Sequence, residues 1–295
     1  MPGMRQRLDH STGATRITPA KWLAVRAALT DVCDRFVALV AAADPQAMAT
    51  AEWTVMDTAA HVTAIAWLYT AKVVSDDTPL PIPSLREVIL TTTVDNIHGG
   101  VNAQILRDYP EREADAVLTR LRSATDELLR LTAGDDPART ASWLGGSRLP
   151  LAGYMAHLTN ELLVHGRDIA RSVNAPWRIP EEYAALFFEL FLVEIIRNGV
   201  GTLLDDDRPA REGRIAVELR SAYTIPVTIV LETGRVHVEE PGRDNDVRVY
   251  FRPATMSLVL FHRITRSRAA MTGSLRVWGR RPWLLAPFLR KVRLP

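Results

Sequence analysis

The chain has 295 residues, 47% of them hydrophobic and 24% charged, which is enough for one large domain or two ordinary ones of globular composition. A net charge of +2 makes no general demand for a nucleic-acid partner, and no apolar run approaches the ~18–20 residues of a membrane-spanning helix. The single cysteine, Cys33, excludes an internal disulfide and fits a reducing cytoplasm.

The opening residues, MPGMRQRLDHSTGATRIT, lack the apolar core of a secretory signal, and residues 1–17 read as a disordered polar tail. Pro19 then opens a helix in which Trp22, Val25, Leu29, Val32, Phe36 and Leu39 recur three and four apart, the stripe of a bundle helix. Cys33 falls inside that pattern and reads as core. After Asp44-Pro45 a second helix starts at Thr54, with Asp57 in the capping-box position and His61 in its second turn. Ala60, Ala64 and Ala71 keep this helix thin enough for a close neighbour. A proline-stiffened linker, DDTPLPIPS, leads to a third helix expected from Ser84, with Glu87 completing a second capping box, through about Tyr109. Gly99-Gly100 interrupts it beside His98. A fourth helix is expected from Pro110, with Val117, Leu118, Leu121, Thr125 and Leu128 on one side, and GDDPARTASWLGGSRLP reads as a loop.

Leu151 to Val173 reads as one long helix, entered at Pro150 and stopped by Asn174 and Pro176. His157, Glu161 and His165 stand four apart on one face of it. His157 and His165 are two turns apart, roughly 12 Å along the axis, so both cannot ligate one ion. The usable pair is His157 with Glu161 or Glu161 with His165, with a further ligand from elsewhere. Three protein ligands and an open position form the pattern of a catalytic metal site. A hydrogen-bonded polar core without metal is the competing reading.

A further helix, about Pro180 to Asn198, is apolar almost all round and must be buried or lie at an interface, so a homo-oligomer is possible. After GVGTLLDDDRPAREG the period changes from 3.6 to 2. RIAVELRS, TIPVTIVLE, RVHVEE and DVRVYFR read as strands, PATMSLVLFHRI and the SRAA segment as helical, and LRVW as a last short strand. The expected organisation is therefore multidomain, α then α+β, with a helical bundle over residues 18–205 and a smaller α+β module over 206–295. Arg263, Arg266, Arg268, Arg276, Arg280, Arg281, Arg290, Lys291 and Arg293 crowd the end with no acid among them. They read as a solvated basic face or an anion contact.

Two segments carry a family resemblance. AEWTVMDTAAHVTAIAW resembles the W-T-x-x-D-x-x-A-H signature of actinobacterial mycothiol-dependent maleylpyruvate isomerase-like proteins, which have a DinB-like four-helix metal-binding domain. NELLVHGRDIARSVNAPWRIP resembles the second metal motif of that family, E-x-x-x-H-G-x-D-x-A-R. The end of the chain, from VYFRPATM to GRRPW, resembles a sterol-carrier-protein-2-like α+β module. The resemblance implies His61, Glu161 and His165 as ligands of zinc or another divalent transition metal, with His157 as an extra or alternative ligand. Asp168 either orients a ligand through a hydrogen bond or pairs with Arg171. The resemblance also implies a cytoplasmic enzyme of isomerase or S-transferase type that uses mycothiol, or a similar low-molecular-weight thiol, on a small-molecule substrate. No catalytic residue is assigned. In the isomerase a basic residue of the C-terminal domain contacts substrate, and no position of this C-terminal module maps onto it. The alternative is a lipid or apolar-ligand binder that acts through the C-terminal module and keeps a structural or vestigial metal site.

Overall fold

The structure is a computed structural model that describes residues 17–209, 211–242 and 244–293. Most of the expected tail lies outside these residues. Ile17, the first described residue, is buried.

Four long helices form the helical part: α1 (Pro19–Ala41), α2 (Val55–Lys72), α5 (Ala114–Leu131) and α6 (Leu151–Ser172), with the short α3 (Leu85–Thr91) and α4 (Ala103–Asp108) between α2 and α5. α1 packs on α5 and α6, and α2 packs on the same two, so the four close into a bundle. Local chemistry sets the helix starts. The Thr18 hydroxyl accepts from the Lys21 amide with Pro19 in the first turn, and Thr54 and Asp57 form a complete capping box on α2. All of α6 except Arg167, Arg171 and Ser172 is buried, so α6 is the axis of this part.

Three expectations about the connecting segments are corrected. The third helix does not run from Ser84 to Tyr109. It stops at Thr91, resumes as a wide π turn over His98–Asn102 and ends as α4, because Gly99-Gly100 weakens helical winding there. Ser84 makes no capping box; its hydroxyl bonds to the Asp108 carboxylate. The fourth helix starts at Ala114 and not at Pro110, because Arg112 ties the segment before it to Asp57 at the start of α2 (Nε–Oδ1 2.8 Å). The loop before α6 contains a hairpin, β1 (Thr140–Ser142) paired antiparallel with β2 (Arg148–Pro150).

The apolar helix forms as α7 (Glu181–Leu186), a π-wound stretch Phe187–Val193 and α8 (Glu194–Asn198). Every residue of the π-wound stretch is buried. It is apolar all round because α6 lies on one side and the C-terminal sheet on the other, where the Phe188 ring meets Phe251 at 4.6 Å between centroids.

The expected strands pair as β5 (Arg235–Glu239), β4 (Val227–Glu232), β3 (Arg214–Arg220), β6 (Val247–Phe251) and β7 (Leu275–Trp278), in that order, with β3 and β6 parallel and the other pairs antiparallel. Their period-2 alternation puts Ile215, Val217, Ile229, Val247, Val249 and Phe251 in one hydrophobic core with the bundle. Two expected helices follow as α9 (Pro253–Leu260) and α10 (Arg266–Met271). A further one, α11 (Leu285–Lys291), buries Phe288. The chain is thus a helical region followed by a sheet-containing region. Among the described residues no helix is long and apolar enough to cross a membrane.

Polar tethers join the two regions. Glu181 accepts from Arg252 Nε (2.8 Å) and the Ala254 amide (2.9 Å), so α7 caps α9. Glu189, buried in the π-wound stretch, takes the Lys21 ammonium (2.8 Å) and the Ile225 amide (2.8 Å). The Ser257 hydroxyl donates to Asn160 Oδ1 at 2.7 Å. We propose that the boundary near residue 205 marks a change of element type within one cooperative unit. A chain ending at Asp205 would uncover Phe187, Phe188 and Leu192. It is expected to aggregate, or to lose its cooperative urea transition, when compared with the full chain by circular dichroism.

One glycine is required by packing. A Cβ on Gly166 would lie 2.2 Å from the Trp177 ring, whose Nε1 donates to the Leu163 carbonyl at 2.9 Å. Gly166→Ala should lower stability by about 1–3 kcal/mol through overpacking, read as a lower urea midpoint with unchanged slope.

Candidate metal centre

His61 reaches the centre of the bundle from α2, and its neighbours Ala60 and Ala64 are fully buried, which lets α2 lie close to α6. The capping box fixes where α2 begins and therefore which face carries His61. On α6 the spacing of four stacks His157, Glu161 and His165 along one inward face, and all three are buried.

His61, Glu161 and His165 each offer a ligand atom, and these atoms lie within 4.8 Å of one another. His61 Nε2 and His165 Nε2 both face Glu161 Oε2, at 3.8 and 3.3 Å. Both contacts are long for hydrogen bonds. Zinc bonds of 2.0–2.1 Å at a tetrahedral angle would hold ligand atoms about 3.3 Å apart, close to the separations found. Two imidazoles and one carboxylate, buried and converging from two helices, fit a divalent transition metal.

His157 stands outside this group. Its Nε2 lies 3.4 Å from the other carboxylate oxygen, Glu161 Oε1. Its tautomer follows from its neighbours. Trp143 Nε1, a donor only, bonds to the Tyr69 hydroxyl oxygen at 2.9 Å. The Tyr69 proton is then directed to His157 Nδ1, also at 2.9 Å. This arrangement favours a proton on His157 Nε2, the nitrogen on the Glu161 side. A line of donors runs from Trp143 through Tyr69 and His157 to one oxygen of Glu161 and leaves the other oxygen to His61 and His165.

Asp168 Oδ2 lies 3.5 Å from His165 Nδ1, the nitrogen away from Glu161, so it can orient that imidazole. The partner of Asp168 is Arg263, not Arg171. Arg263 Nε and Nη2 grip the carboxylate at 2.9 and 2.6 Å, and Nη1 donates to the Phe261 carbonyl. His61 Nδ1 is buried with no hydrogen-bond partner among the described residues. Packing holds this ring, with Trp53 4.8 Å away between centroids.

The charge states follow from these contacts. Burial alone would raise the Glu161 carboxyl, but the His165, His61 and His157 imidazoles around it outweigh that and hold the group well below the usual carboxylate range. Burial pushes the His61 and His157 imidazoles down, toward the neutral form a ligand needs. For His165 burial acts in the same direction, but the carboxylates of Asp168 and Glu161 overcome it and the pKa is raised. Cys33, by contrast, is buried against Thr125 with its thiol pushed up by burial, a core residue and not a nucleophile.

The group opens into a cavity of about 1060 Å³ between the two regions. Several of the C-terminal basic residues pair with acids distant in sequence: Arg263 with Asp168, Arg281 with Asp246, Lys291 with Asp206, and Arg293 with Asp95 and Asp206.

Residues 26–170 match the family model described as "Mycothiol maleylpyruvate isomerase N-terminal domain". The match spans just under half of the chain, and over these residues the chain is similar to that family. The match contains His61, His157, Glu161, His165 and Asp168, while Arg263 and the sheet lie beyond it. Two crystal structures are similar over most of the chain, that of the mycothiol-dependent maleylpyruvate isomerase and that of a mutant of the same protein. Each is 14% identical, covers 80% of this chain and 87% of that chain, and has a TM-score of 0.46. No curated protein matches the chain.

Sequence reading missed Tyr69, Trp143 and Arg263. Tyr69 lies eight residues after His61, two turns along the same face, and that spacing was the available signal. Trp143 and Arg263 reach the centre through a hairpin and a post-helix turn whose positions no local pattern fixes. His61→Ala, Glu161→Ala and His165→Ala should each lose bound metal by elemental analysis. His157→Ala and Tyr69→Phe should retain it with affinity weakened about 10–100-fold in a chelator competition, as expected for groups that hold a ligand rather than the ion. Metal loss in His157→Ala with retention in His165→Ala would place the site one turn nearer the start of α6.

Proposed function

We propose that this protein is a metal-dependent enzyme, with zinc the best-suited ion, that uses mycothiol or a similar low-molecular-weight thiol in a reaction of isomerase or S-transferase type. One observation carries the reading. Two histidines and a glutamate converge, buried, inside the family-matched segment, and they face a cavity large enough for two reactants. A divalent ion there would supply the positive charge that keeps a thiol ionised near neutral pH. His61, Glu161 and His165 would hold it. One carboxylate and two neutral imidazoles leave a net positive charge to attract a thiolate.

The chain's own groups prepare the rest. His157 Nε2 lies 3.4 Å from Glu161 Oε1, on the side of the carboxylate away from His61 and His165. Asp168, itself gripped by Arg263, puts a negative charge 3.5 Å from His165 Nδ1. Trp53 stands over both imidazoles, 4.8 and 5.9 Å from their centroids, and shields them from water. For an isomerase, the thiolate sulfur adds to one carbon of an electron-poor double bond, the carbon–carbon bond turns while single, and the sulfur leaves with its electron pair. The thiol is regenerated and the atoms balance. For an S-transferase, the sulfur forms its bond to carbon as a leaving group departs with the displaced pair.

The thiol supplies the test. A free thiol has a pKa of ~8.5 and is mostly protonated at neutral pH, whereas a metal-bound thiol is deprotonated. Mycothiol binding to the metal-loaded protein should release a proton, seen by calorimetry in buffers of different ionisation enthalpy, and should strengthen as pH rises toward the thiol's own pKa. Cobalt-loaded protein should gain a sulfur-to-metal absorption band on adding mycothiol. Equal binding to metal-free protein, or no sulfur band, would defeat the thiol reading.

A further inference from the structure

The cavity that holds the metal-ligating group extends well past it. It continues between the Phe187–Val193 stretch, the sheet and α11, and there its wall is mostly hydrocarbon. Every sheet residue that lines it is aliphatic, among them Val217, Leu219, Ile229 and Val249, and the α11 contribution is Leu285, Phe288 and Leu289. His61, Glu161, His165 and a set of arginines that includes Arg167 supply polar lining, and the charged lining residue beside α11, Arg293, is paired with Asp95 and Asp206. Arg167 has a buried Nη1 with no hydrogen-bond partner among the described residues.

That division specifies a ligand. A small, fully polar substrate would occupy the metal end and leave the hydrocarbon wall facing water, which is unfavourable in proportion to its area. A hydrophilic thiol gains nothing by entering the apolar end. A volume of about 1060 Å³ exceeds what one small acid fills. At roughly 30 Å³ per group of water size, a chain of about sixteen carbons takes near half of it and leaves room for a thiol at the metal. Arg167 offers an unused donor to an anionic head at the polar end.

We infer that the second reactant is a single-chain amphiphile, a long-chain carboxylate or close derivative. Its hydrocarbon tail lies between the Phe187–Val193 stretch and the sheet, and its head lies at Arg167 beside His61, Glu161 and His165. This rests on the thiol-enzyme reading and names the substrate class for it. It also explains why the metal group and the hydrocarbon chamber share one cavity, which a carrier of apolar molecules alone would not need.

Straight-chain carboxylates of four, eight, twelve and sixteen carbons, titrated into the full-length, metal-loaded protein, test this directly. Affinity should rise about fourfold per added methylene until the chamber is full, the increment expected for moving a methylene out of water. Ile229→Phe should shorten the longest chain accepted. Arg167→Gln should weaken all lengths by a similar factor and leave the slope against length unchanged. In cobalt-loaded protein the twelve-carbon acid should perturb the metal spectrum, which places its head at that end. Affinity that does not depend on length would overturn the proposal in the wild-type protein alone, whatever the variants do, and so would an unperturbed cobalt spectrum. Mycothiol titrated into the same preparations separates the two failures. Thiol binding without a chain-length trend sinks the amphiphile and spares the thiol enzyme. A chain-length trend without thiol binding sinks the substrate assignment and leaves a carrier.

Discussion

A carboxylate held in a hydrocarbon interior is the constraint around which this structure is arranged. Glu161 lies in the middle of α6, 5% exposed, with Leu158, Leu162 and Leu163 as near neighbours in sequence. An ionised carboxylate there is costly unless it is paired and hydrogen-bonded. Its partners come from three places: His165 one turn ahead, His157 one turn behind, and His61 across the gap to α2. The small residues of α2 follow from the last of these, because Ala60 and Ala64 allow the approach that brings an imidazole within reach. The capping box at Thr54 and Asp57 then has a role beyond helix initiation, since an α2 started one residue later would turn His61 off this face.

A second buried acid extends the same logic to the C-terminal region. Asp168 stands one turn beyond His165, and its compensation is Arg263, 95 residues away, held just after α9. The region that carries Arg263 is fixed in turn by Glu181 on Arg252 and the Ala254 amide, by Asn160 on Ser257, and by Glu189 on the Ile225 amide. These bonds place the apolar face of the sheet over the Phe187–Val193 stretch. The cavity is bounded on one side by the bundle and on the other by the sheet, so neither region encloses it alone. Arg263 comes to the centre from the C-terminal region and pairs with Asp168, which lies 3.5 Å from His165.

The legible parts of the sequence were those set by local periodicity. The 3.6-residue stripe of α1, the capping box of α2, the limits of α6 and the change to period 2 after residue 205 each follow from side chains within one or two turns of each other. The spacing of His157, Glu161 and His165 placed them on one face by helix geometry alone. Long-range contacts were not legible. The β1–β2 hairpin is three residues a side and lacks an alternating pattern. The start of α5 is decided by Arg112 reaching back to Asp57. The run of C-terminal arginines looked uncompensated because its acids, Asp95, Asp168, Asp206 and Asp246, lie elsewhere in the chain.

The two oxygens of Glu161 face different neighbours. Three residues at intervals of four cannot all ligate one ion, because the outer two are about 12 Å apart along the axis. The structure gives the carboxylate a different task on each side. Oε2 faces His61 and His165, while Oε1 faces His157, whose protonated nitrogen is set by Tyr69 and Trp143. A glutamate with both oxygens free could chelate an ion and close its coordination sphere. With His157 Nε2 3.4 Å from Oε1, the carboxylate has a different neighbour at each oxygen. Burial disfavours the charged form of His157, so it stands beside Glu161 without adding a second positive charge to the group.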